Sequence, residues 1–488
     1  MSRSQASVTV AGRLAEARTA LSNKIPWVTR LPLPTPSISQ MSVSEYGPRD
    51  RISPIRFCLA LGGLCLVGVT WRLWQPQDVF PRVPLLEVVC QLPPIVDRIV
   101  TWIALALSCL TLLGIVGRSR ASLVGLRWSA VLLSGAWATL VVLDQHRMQP
   151  WVVHIAVSLL LACWALPGRQ LAYLRIFTIS IYVYSALGKF DAQFLHTVGQ
   201  DMVQQVLAQL GLTTVNLATS LRLGFACVLP LIELLVGLGL LWRPTRVWAG
   251  WLAVGMHLVL MWILGPWGLQ HAWGVLVWNC LFVALDVLLF ILPQDVVPVK
   301  DLSSVAVASH AARVDQQSIQ PASPNRLRSQ LMLGLLWLAL IVPLGERFGW
   351  VDHWLGWALY APHSSRARIE ISVSAIEQLP ANMRPFVTAP APNEVIWSEL
   401  RCDRWSLAAL AAPVVPQQRF QMGIARAVSE WVGPYEIRVV AQGPANRWNG
   451  RRRVQTLTGR QEVLAAADQF WFNTRPTPTP QKFAETRR

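Results

Sequence analysis

Nine stretches of mostly apolar residues recur along the chain, near positions 57–74, 99–116, 123–143, 151–166, 171–188, 223–242, 247–264, 272–292 and 330–345. An α-helix needs about 20 such residues, at 1.5 Å each, to cross the hydrocarbon core of a bilayer. Lipid offers no partner for an open backbone, so helices are the structure these runs adopt. Pro230, Gly255 and Pro343 fall inside them, and neighbouring helices can satisfy the backbone groups they free. The fourth and ninth runs are short, which leaves the count at about nine. Composition agrees: only 14% of the 488 residues are charged, against about a quarter in soluble domains. The 24 tryptophans suit a residue that concentrates at membrane interfaces. A disordered chain, a disulfide scaffold and an ordinary soluble enzyme are excluded.

The 43 basic residues outnumber the 26 acidic ones, and where they stand gives the orientation. Eight precede or open the first span, and every second loop afterwards is basic: Arg118, Arg120 and Arg127; Arg169 and Arg175; Arg243 and Arg246; then four between residues 300 and 328. The intervening loops hold only Arg82, Arg98, Arg147, Lys189 and Arg222. Basic loops stay cytoplasmic. The pattern therefore predicts an inner-membrane protein with its N-terminus in the cytoplasm and its C-terminal segment on the export side. Much of the positive excess is thereby an orientation signal, and no nucleic-acid partner is needed to explain it.

The fold expected is an all-α polytopic bundle of about nine transmembrane helices with a small C-terminal α+β soluble domain. Residues 1–55 read as a disordered basic tail, with Met41 a second plausible start. Residues 56–292 carry eight spans, 293–329 a cytoplasmic linker and 330–349 the ninth span. Residues 350–475 form the export-side domain, and 476–488 a tail. Within that domain, 366–376 and 435–441 alternate like half-buried strands, while 418–432 and 460–472 look helical.

The eight cysteines show no CxxC spacing, and at least six lie in spans, where a lone cysteine is usually a packing residue. The histidines show no HxxxH or HExxH spacing, and no metal is expected. His154 and His257 both fall in spans, but nothing in the spacing pairs them as haem ligands.

Ionisable residues inside a bilayer cost about 2.5–3.5 kcal/mol each, so each needs a reason. Glu233 and His257 stand at similar depth on consecutive antiparallel spans, which predicts a hydrogen bond between them, either as a clasp or in a proton relay. Asn279 and Asp286 on the next span extend the polar set. Lys189 is one of only four lysines against 39 arginines, and it ends the fifth span in IYVYSALGKFDAQFL beside Tyr184 and Asp191. Unlike arginine, a desolvated lysine can lose its proton near neutrality and act as a base. The other reading is an ammonium that snorkels to the interface and pairs with Asp191.

SALGKFDAQFLHTVGQDM resembles the small-x-x-K-(L/F)-D segment of the HTTM proteins, the group that includes vitamin K-dependent gamma-carboxylase. LPLIELLVGLGLLWRPTRVWAGWLAVGMHLVLMW is similar to the helix pair of DoxX and MauE proteins, and RISPIRFCLALG and LDQHRMQPW also look HTTM-like. The likeness covers roughly 50–290. It implies a redox- or quinone-associated membrane protein with a quinone-like ligand between spans five to eight and Lys189 as the base. The export-side sequence is too small for the large domain of a carboxylase proper. A membrane scaffold whose export-side domain recruits a protein partner is the alternative, and a small-solute transporter the weaker one.

Overall fold

The computed structural model describes residues 52–76, 78–117, 119–212, 217–292, 324–390 and 396–477. The expectations for the N-terminal tail and Met41, for most of the 293–329 linker and for the last residues of the chain lie outside them.

The bundle begins with α1 (Ile52–Val69), α2 (Pro94–Val116), α3 (Arg120–Leu143), α4 (Pro150–Trp164) and α5 (Gln170–Lys189). After the amphipathic α6 (Val198–Gln209) come α7 (Thr219–Leu241), α8 (Arg246–Leu264) and α9 (Trp273–Asp286), which a π-helical turn prolongs over Val287–Ile291. The last is α10 (Pro324–Ile341), continued by 3-10 turns to Phe348. Eight of these, all but α4 and α6, are long and apolar enough to cross a membrane. The protein is a multi-pass membrane protein in contact with lipid.

The exception, α4, has 15 residues, about 22 Å of helix. It packs against α1, α3, α5 and α10, and the stretch that leads into it, 144–149, is buried throughout. Irregular backbone is tolerated at depth where protein rather than lipid surrounds it, so this helix can be short. Small residues bring other helices close. A Cβ at Gly237 would stand 2.8 Å from Val183 Cγ2, so α7 can lie against α5 only because that Cβ is missing. That approach sets Glu233 opposite Lys189.

After a run of turns from residue 349, the chain forms β1 (Arg366–Ser372), β2 (Trp397–Leu400), α11 (Cys402–Leu410), α12 (Gln418–Ser429), β3 (Ile437–Gln442), β4 (Val454–Thr458) and α13 (Arg460–Ala467). The sheet is antiparallel in the order β2-β1-β3-β4, with Ile369 opposite both Leu400 and Val439, and Val439 opposite Leu457. α12 packs on β1 and β3 and contributes Phe420, Ile424 and Val428 to the core they share. The small α+β domain is present. The strand expected across 366–376 stops at Ser372, where a 3-10 turn begins, and the helix expected across 460–472 stops at Ala467.

This domain caps one end of the bundle. Gln193 Nε2 donates to the Gly450 carbonyl at 3.0 Å, Arg447 Nε to the Phe190 carbonyl at 2.9 Å, and Gln145 Nε2 to the Asn473 carbonyl at 2.8 Å. At the other end, Arg169 Nη1 of the α4–α5 turn donates to Ser329 Oγ near the start of α10.

Candidate functional site

A cavity of about 340 Å3 lies where α5, α7, α8 and α9 meet the cap. Leu229, Met256, Leu260 and Phe282 make it apolar on the bundle side, and Trp354, Tyr360, Pro413 and Pro416 roof it from the cap. Into this setting project Ser185, Lys189, Glu233, His257 and Asn279 from the helices and His353 from the cap. Four non-glycine residues have a left-handed backbone among those described: Gln270, Trp357, Tyr360 and Ala411. Tyr360 and Ala411 line the cavity, and the other two adjoin the lining residues His271 and Ala358. Strained backbone of this kind tends to collect where function constrains the chain.

Lys189 sits at the last turn of α5, and its Nζ donates to Glu233 Oε2 at 2.5 Å and to Ser185 Oγ at 2.7 Å. Both partners of the ion pair are mostly buried and line the cavity. The structure thus corrects two expected pairings. Glu233 bonds to Lys189 and not to His257. Asp191 leaves Lys189 alone: its Oδ1 accepts from the Phe194 N–H at 2.8 Å to cap the next turn, and its Oδ2 lies 2.9 Å from His363 Nδ1. Helix spacing explains the choice. Ser185, one turn back, and Glu233 on the adjacent helix lie on the inner face of α5, whereas Asp191 stands beyond its end.

His257 belongs to a separate chain of hydrogen bonds. Its Nδ1 meets Asn279 Oδ1 at 2.7 Å, its Nε2 meets the Tyr182 hydroxyl at 2.8 Å, and that hydroxyl lies 2.7 Å from Asp286 Oδ2. The Asn279 amide nitrogen donates to the Val275 carbonyl, which turns its oxygen to His257 and makes Nδ1 the protonated nitrogen. The Tyr182 hydroxyl has a single proton and two acceptor neighbours. Two states then satisfy the chain: a neutral histidine with a protonated Asp286, or an imidazolium with a carboxylate. They differ by moving one proton along Asp286–Tyr182–His257, with no change in net charge. The cavity reaches this relay through His257 and Asn279, while Asp286 lies fully behind it.

Tyr184, a candidate for a ligand contact or a structural polar residue, directs its hydroxyl to the Leu340 carbonyl of α10 at 2.6 Å, as a structural residue would. Tyr182, two residues earlier, is the tyrosine that joins His257 to Asp286. His154 and His257 both stack on Phe282, with centroids 4.8 and 4.9 Å from its ring. Their contacts with that one ring leave no place for a haem between them.

Arg147, which the sequence places among the loop charges, is fully buried. Its guanidinium makes a bidentate pair with Asp97 and donates through Nε to the Leu73 carbonyl at 3.0 Å, while Arg82 reaches the same carboxylate at 3.1 Å. On either side, Gln145 Oε1 accepts from Arg419 at 2.8 Å, and His146 Nε2 meets the Pro413 carbonyl at 3.0 Å. Burial pushes Asp144 up to about 6 against the lowering effect of Arg147, and pushes His146 down to about 4. This stretch locks the cap onto the bundle. Its only sequence signal was the run of polar residues DQHR between two spans.

No metal was expected, yet the cap brings Glu346, His353 and His363 together. Glu346 Oε1 accepts from His353 Nδ1 at 2.9 Å and from His363 Nε2 at 2.8 Å. Sequence spacing could not show this, because turns rather than one helix or strand carry the two histidines.

Residues 168–266 match the family model described as Methylamine utilisation protein MauE. That stretch runs from the turn before α5 to just past α8. It contains Lys189, Asp191, Glu233 and His257, and stops before Asn279, Asp286 and the cap. No curated protein and no solved structure matches the chain. Over about a fifth of its length the chain is similar to the MauE family.

Proposed function

We propose that this membrane protein binds a quinone-like molecule in the cavity and handles its proton through the Lys189–Glu233 pair. One observation carries the reading: a mostly apolar cavity of ligand size presents a buried ion pair on its wall. An aromatic ring with an isoprenoid-like tail would fill the apolar part. A ring hydroxyl would face the pair, give its proton to the Glu233 carboxylate or to a Lys189 amine that has passed its own proton to Glu233, and leave an oxyanion beside the remaining positive or hydrogen-bonding group. In the second case Lys189 is the base. His257, with the relay behind it, is a second polar contact for the same ligand. The resemblance of SALGKFDAQFL to the HTTM segment points the same way.

The cap lies on the export side in this reading. Three of the five basic residues in the loops on its side, Arg82, Arg147 and Lys189, are paired with two carboxylates, Asp97 and Glu233. Orientation follows the count of Lys and Arg in the loops, which is low on this side. Protease protection of residues 350–477 in sealed inner-membrane vesicles is expected, and digestion in those whose cytoplasmic face is outward would reverse the topology.

The binding test uses purified protein in mild detergent and a short-chain ubiquinone analogue as the probe, read by quenching of the tryptophan fluorescence. The wild type is expected to bind one equivalent, and Lys189→Met and Glu233→Gln to bind at least tenfold more weakly, about 1.4 kcal/mol. Equal affinity in all three proteins would remove the pair from the site. The scaffold reading would then stand, with the cap as its partner-binding part.

A further inference from the structure

We propose that Glu346, His353 and His363 form a binding site for a divalent transition-metal cation of the zinc class, with Asp191 holding His363 in place. The site lies at the cap side of the cavity and does not depend on what the cavity binds.

Two imidazoles and a carboxylate are a donor set that suits zinc, cobalt and ferrous iron. One donor atom from each of the three side chains lies within 4.8 Å of the other two. Ligands at about 2.1 Å from a tetrahedral ion stand about 3.4 Å apart, so rotations of the side chains suffice to close the set. Both histidines are buried, and Glu346 is mostly so. Among the described residues no other group of three such side chains comes together.

The surroundings supply the second observation. A histidine that binds metal through one nitrogen almost always offers the other to a carboxylate or a backbone carbonyl. His363 turns Nε2 to Glu346 and Nδ1 to Asp191 Oδ2, 2.9 Å away. The His353 ring turns Nδ1 to Glu346 and lies beside the backbone of Ala361. Each ring therefore has one nitrogen toward the centre and an acceptor near its other side. Taken as a plain hydrogen-bonded clasp, the group is poorly satisfied. Asp191 Oδ2 and His363 Nδ1 are buried and close, yet out of alignment for a hydrogen bond. Buried polar atoms left in that state call for an explanation, and a bound ion that re-aims the ring provides one. Two carboxylates, Glu346 and Asp191, supply negative charge to set against Arg347. His353 also lines the cavity, so a cation held here would face its contents.

The test uses the full-length protein in mild detergent, stripped with a chelator and titrated with cobalt(II), then zinc(II). One equivalent of cobalt is expected, with the visible absorption of a low-coordinate nitrogen and oxygen site, displaced by one equivalent of zinc. His353→Ala and His363→Ala are expected to lose stoichiometric binding, Asp191→Asn to weaken it 10–100-fold, and Lys189→Met to retain it. Failure of the wild type to bind one equivalent overturns the proposal, as does a thiolate spectrum or unchanged binding in either histidine variant. If those variants do not fold, the wild-type stoichiometry and spectrum decide the matter by themselves.

Discussion

Around Arg147 and around Lys189 the protein buries charge within the same bundle, but the two places are closed in different ways. At Arg147 the guanidinium is matched to Asp97 and to the Leu73 carbonyl, Arg82 completes the same carboxylate, and Gln145 and Arg419 bridge to Asp352 of the cap. The neighbouring residues of the 144–149 stretch fill the rest. At Lys189 the ion pair is as short, but one side of it faces a cavity rather than other protein. A buried ion pair is weak evidence for stability in itself, because desolvation offsets much of the Coulombic gain. What separates the two is the use of the remaining surface. The closed network joins cap to bundle, and the open one leaves room for a ligand.

The most severe way to break this comparison is to remove one charge from each region. Arg147→Ala removes the bidentate partner of the buried Asp97, leaving Arg82 on that carboxylate, and should cost about 3 kcal/mol, enough to abolish monodisperse protein in detergent. Lys189→Met leaves Glu233 beside a cavity where it can be hydrated or protonated. Its thermal midpoint should fall by only a few degrees. A Lys189→Met protein that collapses as Arg147→Ala does would make the Lys189 pair a structural clasp, and the distinction would fail.

Acidification probes the closed region, where Asp144 and His146 titrate in opposite senses. His146 is held down at about 4, so its contribution is intact above the ordinary histidine value near 6.5 and is lost as pH falls toward 4. Asp144 is held up at about 6, so its contribution is present below 3.8 and is lost as pH rises through 6. The two oppose each other over nearly the same window, and the wild type should be close to flat there. Asp144→Asn leaves the histidine unopposed, so that variant should lose stability between pH 6.5 and 4, by up to about 3 kcal/mol. His146→Gln should gain stability over the same range. Thermal midpoints of the three proteins at pH 7, 5.5 and 4.5 check both signs, and parallel curves would show that neither group titrates as described.

Much of the bundle was legible because a period of 3.6 and a length of about 20 apolar residues are local properties. The short fourth span was legible as short, though not as the helix wrapped by α1, α3, α5 and α10. Of the cap, β1, β3 and α12 announced themselves by alternation or amphipathicity. β4 did not, because four of its five residues are exposed and no buried face alternates along it. At the site, Lys189, Glu233, His257, Asn279 and Asp286 were identified as polar residues in apolar runs. Their partners were not, because depth along a helix says nothing about rotation around it. Glu233 and His257 share a depth but face different neighbours. Tyr182 and Tyr184, two residues apart, point to different sides of α5, and only contacts decide which one serves the relay.

That pair of tyrosines gives the finest test. Tyr182→Phe removes the hydroxyl that joins His257 to Asp286 and leaves two buried polar groups without it, a loss of about 1–3 kcal/mol for each. It also leaves His257 without its link to Asp286 behind the cavity, so affinity for the ubiquinone analogue should fall. Tyr184→Phe removes one bond to the Leu340 carbonyl at a half-buried position, worth about 0.5–1.5 kcal/mol, and should leave ligand affinity unchanged. Thermal midpoint and affinity for the ubiquinone analogue separate the two outcomes. Equal behaviour of the two variants would mean that the Asp286–Tyr182–His257 chain only braces the helices. The open region would then rest on the Lys189–Glu233 pair, and the proton would have to be handled on the cavity wall itself.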